Sequence, residues 1–499
     1  MLVKEEKKQL NIKPNIILIF TDDQGYYDLS VQGNKEIYTP CIDEMANEGI
    51  RLTNFHAQPV CGPSRAALMT GCYPQRIGQV GNKRLGIGGG HPLLHSKEIT
   101  IAEILKKEGY KTGMIGKWHL GLNNANSPTE KGFDTFFGTP GSNDGLWVDK
   151  KSLEFSKDVN QDIENSIFPP VPLIRDKTVI EFPMKQTGIT TRYTDEAIDF
   201  IKKSNEEGKS FFLYMAHNMP HVPLFPGEKF KGQSKYGIYG DCIEEIDWNT
   251  GRLIQTLKDI NIDENTMVIF TSDNGPWLRP DLVETRECGS AYPLRGGKLM
   301  SWEGGFRVPC IIRMPSLISG GQVSDKLTST LDILPTLTHL AGGSVPNDRA
   351  IDGENIIDIL RGCDMYNDTP RTFYFYIGRN LQAVQHGKWK LILARPDIPD
   401  MMDEYWASHF GSIPFPQLYD ISQDISEEND VANKYPEVVE MLLNIAKNAR
   451  EELGEGSKIG KGERFWEDYP LPGTAELDGK WKTFKDGHGK KFMKGMVIR

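Results

Sequence analysis

Asn15-Ile16-Ile17-Leu18-Ile19-Phe20-Thr21-Asp22-Asp23-Gln24-Gly25 is the stretch that decides the fold. Ile16 to Phe20 is a continuous apolar run of strand length. A strand with one wet face alternates apolar and polar residues. An unbroken run reads as a strand buried on both faces, as in a parallel sheet covered by helices. The run ends in two adjacent carboxylates and a glycine. Asp and Gly also make turns, but a turn does not need two carboxylates side by side, and a divalent cation site does. The C-terminal end of such a strand borders the crevice where open α/β sheets bind ligands.

The same texture recurs along the chain. Tyr110 to Ile115 runs into Gly116-Lys117-Trp118-His119, and Ser210 to Met215 runs into Ala216-His217-Asn218-Met219-Pro220-His221. Thr266 to Phe270 runs into Thr271-Ser272-Asp273-Asn274-Gly275, an echo of the first strand end. Lys117 and His119, two apart on an extended segment, are expected to point to one side. Helical patterns lie between these runs: one opened by Thr39 as cap and Pro40, then Thr100–Glu108, Thr191–Ser204 and Tyr239–Ile260. The expected fold is therefore α/β, a large, mixed, mostly parallel sheet flanked by helices. Residues 148–190 read as an irregular surface insertion. After Gly362, short strands at 372–376, 381–384, 388–393 and 417–420 precede an amphipathic helix over 435–452. This predicts a small C-terminal antiparallel sheet with a helix on it. The expected division is a catalytic domain over residues 1–370 and a C-terminal α+β subdomain over 371–499.

Cys61-Gly62-Pro63-Ser64-Arg65 stands out between the first two strand signals. Pro63 suits a first helical turn and Gly71 can stop the helix. Cys61 is then expected just before a helix N-terminus, where free N–H groups and the macrodipole favour an anion. Arg65, one turn on, can reach back beside it. Lys298, in Arg295-Gly296-Gly297-Lys298, is placed to enter the same site. Ser142, Asn143 and Asp144 lie on a loop that reads as a lid carrying substrate contacts, with Trp147 beyond it. The Gly-rich stretch Gly78–Gly90 reads as a flexible loop, and His91 and His95 as polar surface. Each motif alone has an ordinary reading: a buried free Cys, a turn, a salt-bridged Lys, a surface His. Their joint placement at one edge of a parallel sheet is what a hydrolase acting on an anionic group needs. Three carboxylates and an amide oxygen are hard ligands, suited to Ca²⁺ or Mg²⁺ rather than zinc.

The 499 residues exceed what one hydrophobic core usually organises. Hydrophobic residues at 38% and charged residues at 25% fit a globular chain, and a net charge of −10 argues against a nucleic-acid partner. Seven Cys without close pairs do not form a disulfide framework. No run is long and apolar enough to span a membrane. The first residues lack the apolar segment of a signal peptide, so the protein is expected to be cytoplasmic or exported with a leader outside this sequence.

Cys-x-Pro-Ser-Arg followed by Ala-x-Leu-x-Thr-Gly, here Cys61–Arg65 and Ala66–Gly71, resembles the signature of the type I sulfatases of the alkaline phosphatase superfamily, in the pattern of arylsulfatase A. The resemblance runs on through Gly116-Lys117-Trp118-His119, Pro220-His221, Ser272-Asp273-Asn274-Gly275 and Arg295 to Pro309, and more weakly through Lys388-Trp389-Lys390-Leu391. It implies that a formylglycine-generating maturation enzyme oxidises Cys61 to formylglycine, whose hydrate is the nucleophile toward sulfur. It implies one divalent cation, Ca²⁺ in preference to Mg²⁺, held by Asp22, Asp23, Asp273, Asn274 and the modified Cys61. Arg65 would steady the hydrate. Lys117, Lys298 and His221 would hold the sulfate and the leaving oxygen, and His119 would handle the hydrate's proton. Ser142 resembles a substrate contact of the family, and His217, without a clear counterpart there, stands as a further candidate for contact with substrate. The substrate expected is a sulfated small molecule or glycan, with a carbohydrate preferred. A phosphonate or phosphodiester hydrolase of the same superfamily, and an inactive sulfated-glycan binder, are the alternatives.

Overall fold

A computed structural model describes residues 13–78, 94–121, 125–144, 171–363, 369–395, 412–456 and 458–464. Its strands begin, in chain order, with β1 (Asn15–Thr21), β2 (Ile50–Leu52), β3 (Phe55–His56), β4 (Lys111–Lys117), β5 (Thr135–Thr139), β6 (Leu173–Arg175), β7 (Thr178–Glu181) and β8 (Phe211–Ala216). They continue with β9 (Thr266–Ser272), β10 (Cys310–Arg313), β11 (Gln322–Ser324), β12 (Thr328–Ser329), β13 (Thr372–Ile377), β14 (Asn380–His386), β15 (Trp389–Ile392) and β16 (Gln417–Asp420). Ten of them form one sheet in the order β11-β2-β10-β9-β1-β8-β4-β5-β6-β7. From β9 to β5 every pairing is parallel. Antiparallel pairs flank this centre, β10 against β9 and β6 against β5. The sheet is mixed and mostly parallel, as expected.

β1 shows why the run is unbroken. Ile16, Leu18 and Phe20 enter the core on one face of the sheet, and Ile17 and Ile19 enter the core on the other. Side chains alternate faces, so a strand covered twice needs an apolar residue at every position. Because the central strands are parallel, Thr21, Lys117, Ala216 and Ser272 end at one edge. The segments carrying Asp22 and Asp23, His119, His217 and His221, and Asp273 and Asn274 all leave from there.

Three helices follow the early strands: α1 (Pro40–Asn47), α2 (Cys61–Thr70) and α3 (Ile101–Lys107). Thr39 precedes α1 but does not cap it with its side chain. Its hydroxyl accepts the Ser30 N–H at 2.9 Å and reaches Asp43, so the local loop claims it. Gly71 ends α2 at φ 66°, a left-handed position that glycine adopts without a Cβ clash. All ten residues of α2 are buried. Ala66, Leu68 and Met69 face the sheet core, and Ala67 faces the C-terminal core.

The C-terminal strands form a separate antiparallel sheet, β13-β14-β15-β16. The helix Pro436–Leu453 lies on it, burying Leu442, Ala446, Ala449 and Leu453, with Val438, Val439 and Ile445 partly covered. That core also takes in Trp302 and Phe306 from the segment following Lys298.

Two sequence expectations need correction. Residues 171–190 are not an irregular insertion: β6 and β7 extend the edge of the large sheet, and a helix begins at Ile189. His95 is buried rather than a surface histidine, and its Nδ1 accepts the Lys97 N–H at 3.2 Å. Residues 79–93 with His91, 145–170 with Trp147, and 465–499 lie outside the described residues. Among the described residues no helix is long and apolar enough to cross a membrane.

Gly275 marks where the Asn274 turn meets the segment after Lys298. A Cβ on Gly275 would lie 1.8 Å from the Gly304 carbonyl oxygen. Neither backbone can yield like a flexible side chain. Gly275→Ala is therefore expected to lower stability by about 3 kcal/mol, at the upper end of overpacking costs. Equilibrium denaturation of the purified variant checks this, and an unchanged midpoint would show that the contact relaxes freely.

Candidate active site

Cys61 is the first residue of α2, one position further in than the sequence suggests, with extended Val60 before it. It is buried, and its thiol donates to Asp22 Oδ1 at 3.4 Å. Burial and the neighbouring Asp22 push this thiol far above its ordinary pKa, despite Lys117 and Lys298 nearby. The unmodified side chain is therefore held as a thiol, a poor nucleophile. Arg65, one turn on, does not fold back onto Cys61. Its guanidinium donates to the Lys117 carbonyl at 2.9 Å and to Asp273 Oδ2 at 2.7 Å, with Asp22 at 3.7 Å. Arg65 thus ties α2 to the ends of β4 and β9.

Around Cys61 three carboxylates meet three cations. Lys117 Nζ lies 2.5 Å from Asp22 Oδ2, and Lys298 Nζ lies 2.6 Å from Asp23 Oδ1 and 3.4 Å from Cys61 Sγ. Burial alone would raise the Asp22 pKa, yet Lys117, His221, Arg65 and Lys298 hold it well below the carboxylate range. Burial would likewise lower Lys298, but Asp23 and its neighbours keep it firmly protonated. Asp23 adopts φ 61°, a left-handed position that Asp tolerates. Its N–H donates to Asp273 Oδ1 at 3.2 Å, which ties the first strand end to the echoing one.

The donor set fits a divalent cation. Single ligand atoms from Asp22, Asp23, Cys61 and His221 all lie within 4.8 Å of one another. Asp23 Oδ2 and Asn274 Oδ1 are buried oxygens that accept no hydrogen bond. Buried acceptors without partners are uncommon, and a cation is one thing that satisfies them. Asn274 faces the group because its Nδ2 donates to Asp23 Oδ1 at 2.7 Å. Asp273 adjoins the group but is turned toward Arg65. His221 joins the group, with Nε2 3.6 Å from Asp23 Oδ2, although the sequence assigns it to the sulfate.

Two histidines differ in setting. His119 is not on an extended segment with Lys117: β4 ends at Lys117 and His119 sits at φ 59°. It is nonetheless fully buried among charges. Burial first, then Lys117 and Arg65, hold it well below the ordinary imidazole pKa, so it is neutral. His217 is also buried and neutral, pushed down to about 3 by burial alone. Burial is the cause of that shift, whereas His119 and His221 also feel the charges of Lys117 and Asp22.

The loop after β5 also braces the backbone near the site. Asn143 spends its amide on backbone, donating to Pro223 O at 2.9 Å and His221 O at 3.4 Å. The His119 N–H donates to Pro140 O at 3.0 Å. The loop therefore holds the backbone at His119, at His221 and at Pro223. Among the described residues the buried Ser142 Oγ has no hydrogen-bond partner, and Asp144 is buried as well. Trp277 is a residue that sequence reasoning passed over. Its ring lies 6.0 Å from the His221 ring and 5.3 Å from Lys298 Nζ, a cation–π arrangement. An aromatic three residues past Asn274, on a Gly-Pro turn, was the available signal.

With this geometry described, comparison with known proteins is informative. Residues 14–344 match the family model Sulfatase, and residues 368–475 match the model for the C-terminal region of aryl-sulfatase. The chain is 34% identical to arylsulfatase H of Canis lupus familiaris over 494 residues, covering 84% of this chain and 87% of that one. It is 36% identical to N-acetylgalactosamine-6-sulfatase of Canis lupus familiaris over 395 residues, covering 76% and 71%. The crystal structure of Ps i-CgsB in complex with k-i-k-neocarrahexaose superposes with a TM-score of 0.72 at 28% identity, covering 87% of this chain and 92% of that one. A family match over most of the chain, with relatives aligned across both sheets, makes this protein a member of the sulfatase family and a sulfuric ester hydrolase.

Proposed function

We propose that the protein hydrolyses a sulfate ester of a carbohydrate, using Cys61 in its formylglycine form and one divalent cation, Ca²⁺ in preference to Mg²⁺. The observation that carries this is the buried group of Asp22, Asp23, Cys61 and His221 donor atoms, flanked by the Lys117 and Lys298 ammonium groups. Asp22, Asp23, Asn274 and Asp273 would hold the cation with the modified Cys61. A donor set supplied mostly by protein oxygens suits Ca²⁺, whereas Mg²⁺ tends to keep several waters. The cation supplies Lewis acidity and a lowered hydroxyl pKa. Hydrated formylglycine supplies a nucleophilic hydroxyl and a second hydroxyl through which sulfate is released.

The chain's own residues supply the rest. Lys117 and Lys298 bind the anionic sulfuryl oxygens and stabilise charge that grows on them. Arg65 fixes Asp273 and the end of β4. His221 Nδ1 donates to the Val222 carbonyl at 2.5 Å, so its Nε2 gives a proton to the leaving oxygen only from the imidazolium, and Lys298, held protonated, is the other donor. His119, neutral through burial, takes the proton from the second hydroxyl. Ser142, with its free Oγ, is the substrate contact on the β5 loop. Asn143 braces the backbone with its amide nitrogen, and its Oδ1, Asp144 and His217 stand as further candidate substrate contacts.

The carbohydrate reading is supported by two similar proteins, an N-acetylgalactosamine-6-sulfatase and Ps i-CgsB in complex with k-i-k-neocarrahexaose. A panel of defined sulfated mono- and oligosaccharides, run beside an aryl sulfate, tests it. The expected result is a higher kcat/KM on at least one terminally sulfated sugar than on the aryl ester. An aryl sulfate outperforming every sugar would remove the carbohydrate reading, and preference for internal sulfates of polymers would remove the expectation of a terminally sulfated sugar. A phosphodiester and a phosphonate ester in the same panel test the alternative chemistry: faster turnover of either would make the enzyme a phosphoryl hydrolase.

A further inference from the structure

We infer that Lys390 and Glu427, contributed by the C-terminal sheet and the turn after it, are positioning residues for Lys298, acting through a buried ion network centred on Glu303. The inference rests on the reading of Lys298 as a sulfate-binding group. Residues 294–305 form the loop that carries Lys298. On its inner side the loop is wedged between two pieces of the site. The Lys298 N–H donates to Pro276 O at 2.9 Å, the Leu299 N–H to Pro59 O at 2.9 Å, and the Gly275 N–H to Gly305 O at 3.2 Å. A shift of this loop moves the Lys298 ammonium relative to both Asn274 and Cys61.

On its outer side the loop is gripped by the C-terminal sheet at three successive residues. Arg395 donates to Ser301 Oγ at 3.3 Å, and the Trp302 ring meets Tyr419 edge-on at 6.1 Å. Glu303 is the strongest point. Its carboxylate takes Lys390 Nζ at 2.8 Å, His56 Nε2 at 3.1 Å and Arg307 at 3.3 Å. Lys390 also meets Glu427 Oε1 at 2.9 Å, and Glu427 Oε2 accepts the Glu303 N–H at 2.7 Å. The Glu427 carbonyl accepts from Arg295, at the start of the same loop, at 3.1 Å. Glu303, His56, Lys390 and Glu427 are all fully buried.

Such a network is a costly way to gain stability. Well-packed apolar residues of similar volume often serve as well or better, because burying charges loses their hydration. What a network of buried charges does supply is one preferred geometry, since Glu303, Lys390 and Glu427 meet in one arrangement. Here that geometry fixes the two ends of the Lys298 loop, at Arg295 and Glu303. The C-terminal sheet therefore takes part in assembling the site through Glu303.

The test is a double-mutant cycle on the full-length enzyme, with kcat/KM normalised to the fraction of Cys61 converted. Lys298→Ala, Lys390→Met and the pair are compared well below their unfolding temperatures. Lys390→Met alone is expected to lower kcat/KM by about 10- to 100-fold, in line with groups that orient first-contact residues. In the Lys298→Ala background it is expected to change kcat/KM by less than about twofold, because there is no ammonium left to position. Amide exchange gives a readout free of activity: Leu299, Gly304 and Gly305 should exchange faster while β1 and β8 stay unchanged. Losses that multiply, or exchange that accelerates throughout, would overturn the inference and leave a structural role only. Lys298→Ala with full activity would instead overturn the reading of Lys298, and this inference with it. Glu427→Gln, nearly isosteric, carries the same expectations should Lys390→Met fail to fold.

Discussion

Cys61→Ala protein is expected to fold and to lose kcat/KM toward every sulfate ester by on the order of 10⁴-fold or more, the scale seen when a nucleophile is removed. The stability cost should be small, about 1 kcal/mol, because one sulfur is deleted from a well-packed turn. The expectation follows from the state of the thiol. Burial and Asp22 hold it protonated, although it sits at a helix N-terminus beside two ammonium groups. A cysteine meant to act as thiolate would have the opposite electrostatics. The surroundings suit a group that is neutral at rest, as a hydrated aldehyde is. Mass spectrometry of the Cys61 peptide from active enzyme should show sulfur and two hydrogens replaced by one oxygen. Unmodified Cys61 throughout a fully active preparation would exclude formylglycine, and full activity in Cys61→Ala would exclude Cys61 altogether.

Asp273→Ala should remove bound metal and activity together, with kcat/KM falling by about 10³-fold or more. Asp273 Oδ2 is the closest carboxylate partner of the Arg65 guanidinium, and Asp273 Oδ1 accepts the Asp23 N–H. Deleting the carboxylate strands a buried arginine, which can itself cost about 3–5 kcal/mol. Asp273→Asn keeps the shape and part of the hydrogen bonding, so it separates loss of metal from loss of fold. The measurements are metal content by elemental analysis, unfolding temperature, and turnover before and after chelation with Ca²⁺ or Mg²⁺ restored. Loss of metal and turnover in Asp273→Asn at a near-normal unfolding temperature is the expected result. Turnover that survives chelation and both substitutions would show that the cation site is wrongly placed.

Much of the site is legible in the sequence because its residues follow strand ends. A parallel sheet delivers every C-terminal strand end to one edge, so Asp22, Lys117, His221 and Asp273 can be grouped before any distance is known. Cys61 and Arg65 add a local pattern that does not depend on tertiary structure. The unread parts share one property: their partners come from distant segments. Asn143 looks like a substrate contact next to Ser142, yet its amide is claimed by Pro223 and His221. His217 and His221 look alike on one loop, but only His221 faces the charges. Arg65 can reach Cys61 by helical geometry and instead reaches Asp273, because a buried guanidinium goes to the carboxylate that satisfies it.

By itself the sequence determined that this chain is an α/β protein with a second, antiparallel sheet, and that its chemistry gathers at the ends of parallel strands. It could do so because periodicity, caps and strand-end motifs are local, and each local signal agrees with the others. Only the tertiary structure decided which charges neutralise one another. Lys390 in an apolar strand and Glu303 beside two glycines carry no mark of being partners. Yet each is tolerable in the interior because its partners are there: the two lie 2.8 Å apart, with Glu427 beside Lys390 and Arg307 beside Glu303. Burial makes an unpaired charge so unfavourable that pairing is settled by the packed interior as a whole, not by neighbours along the chain.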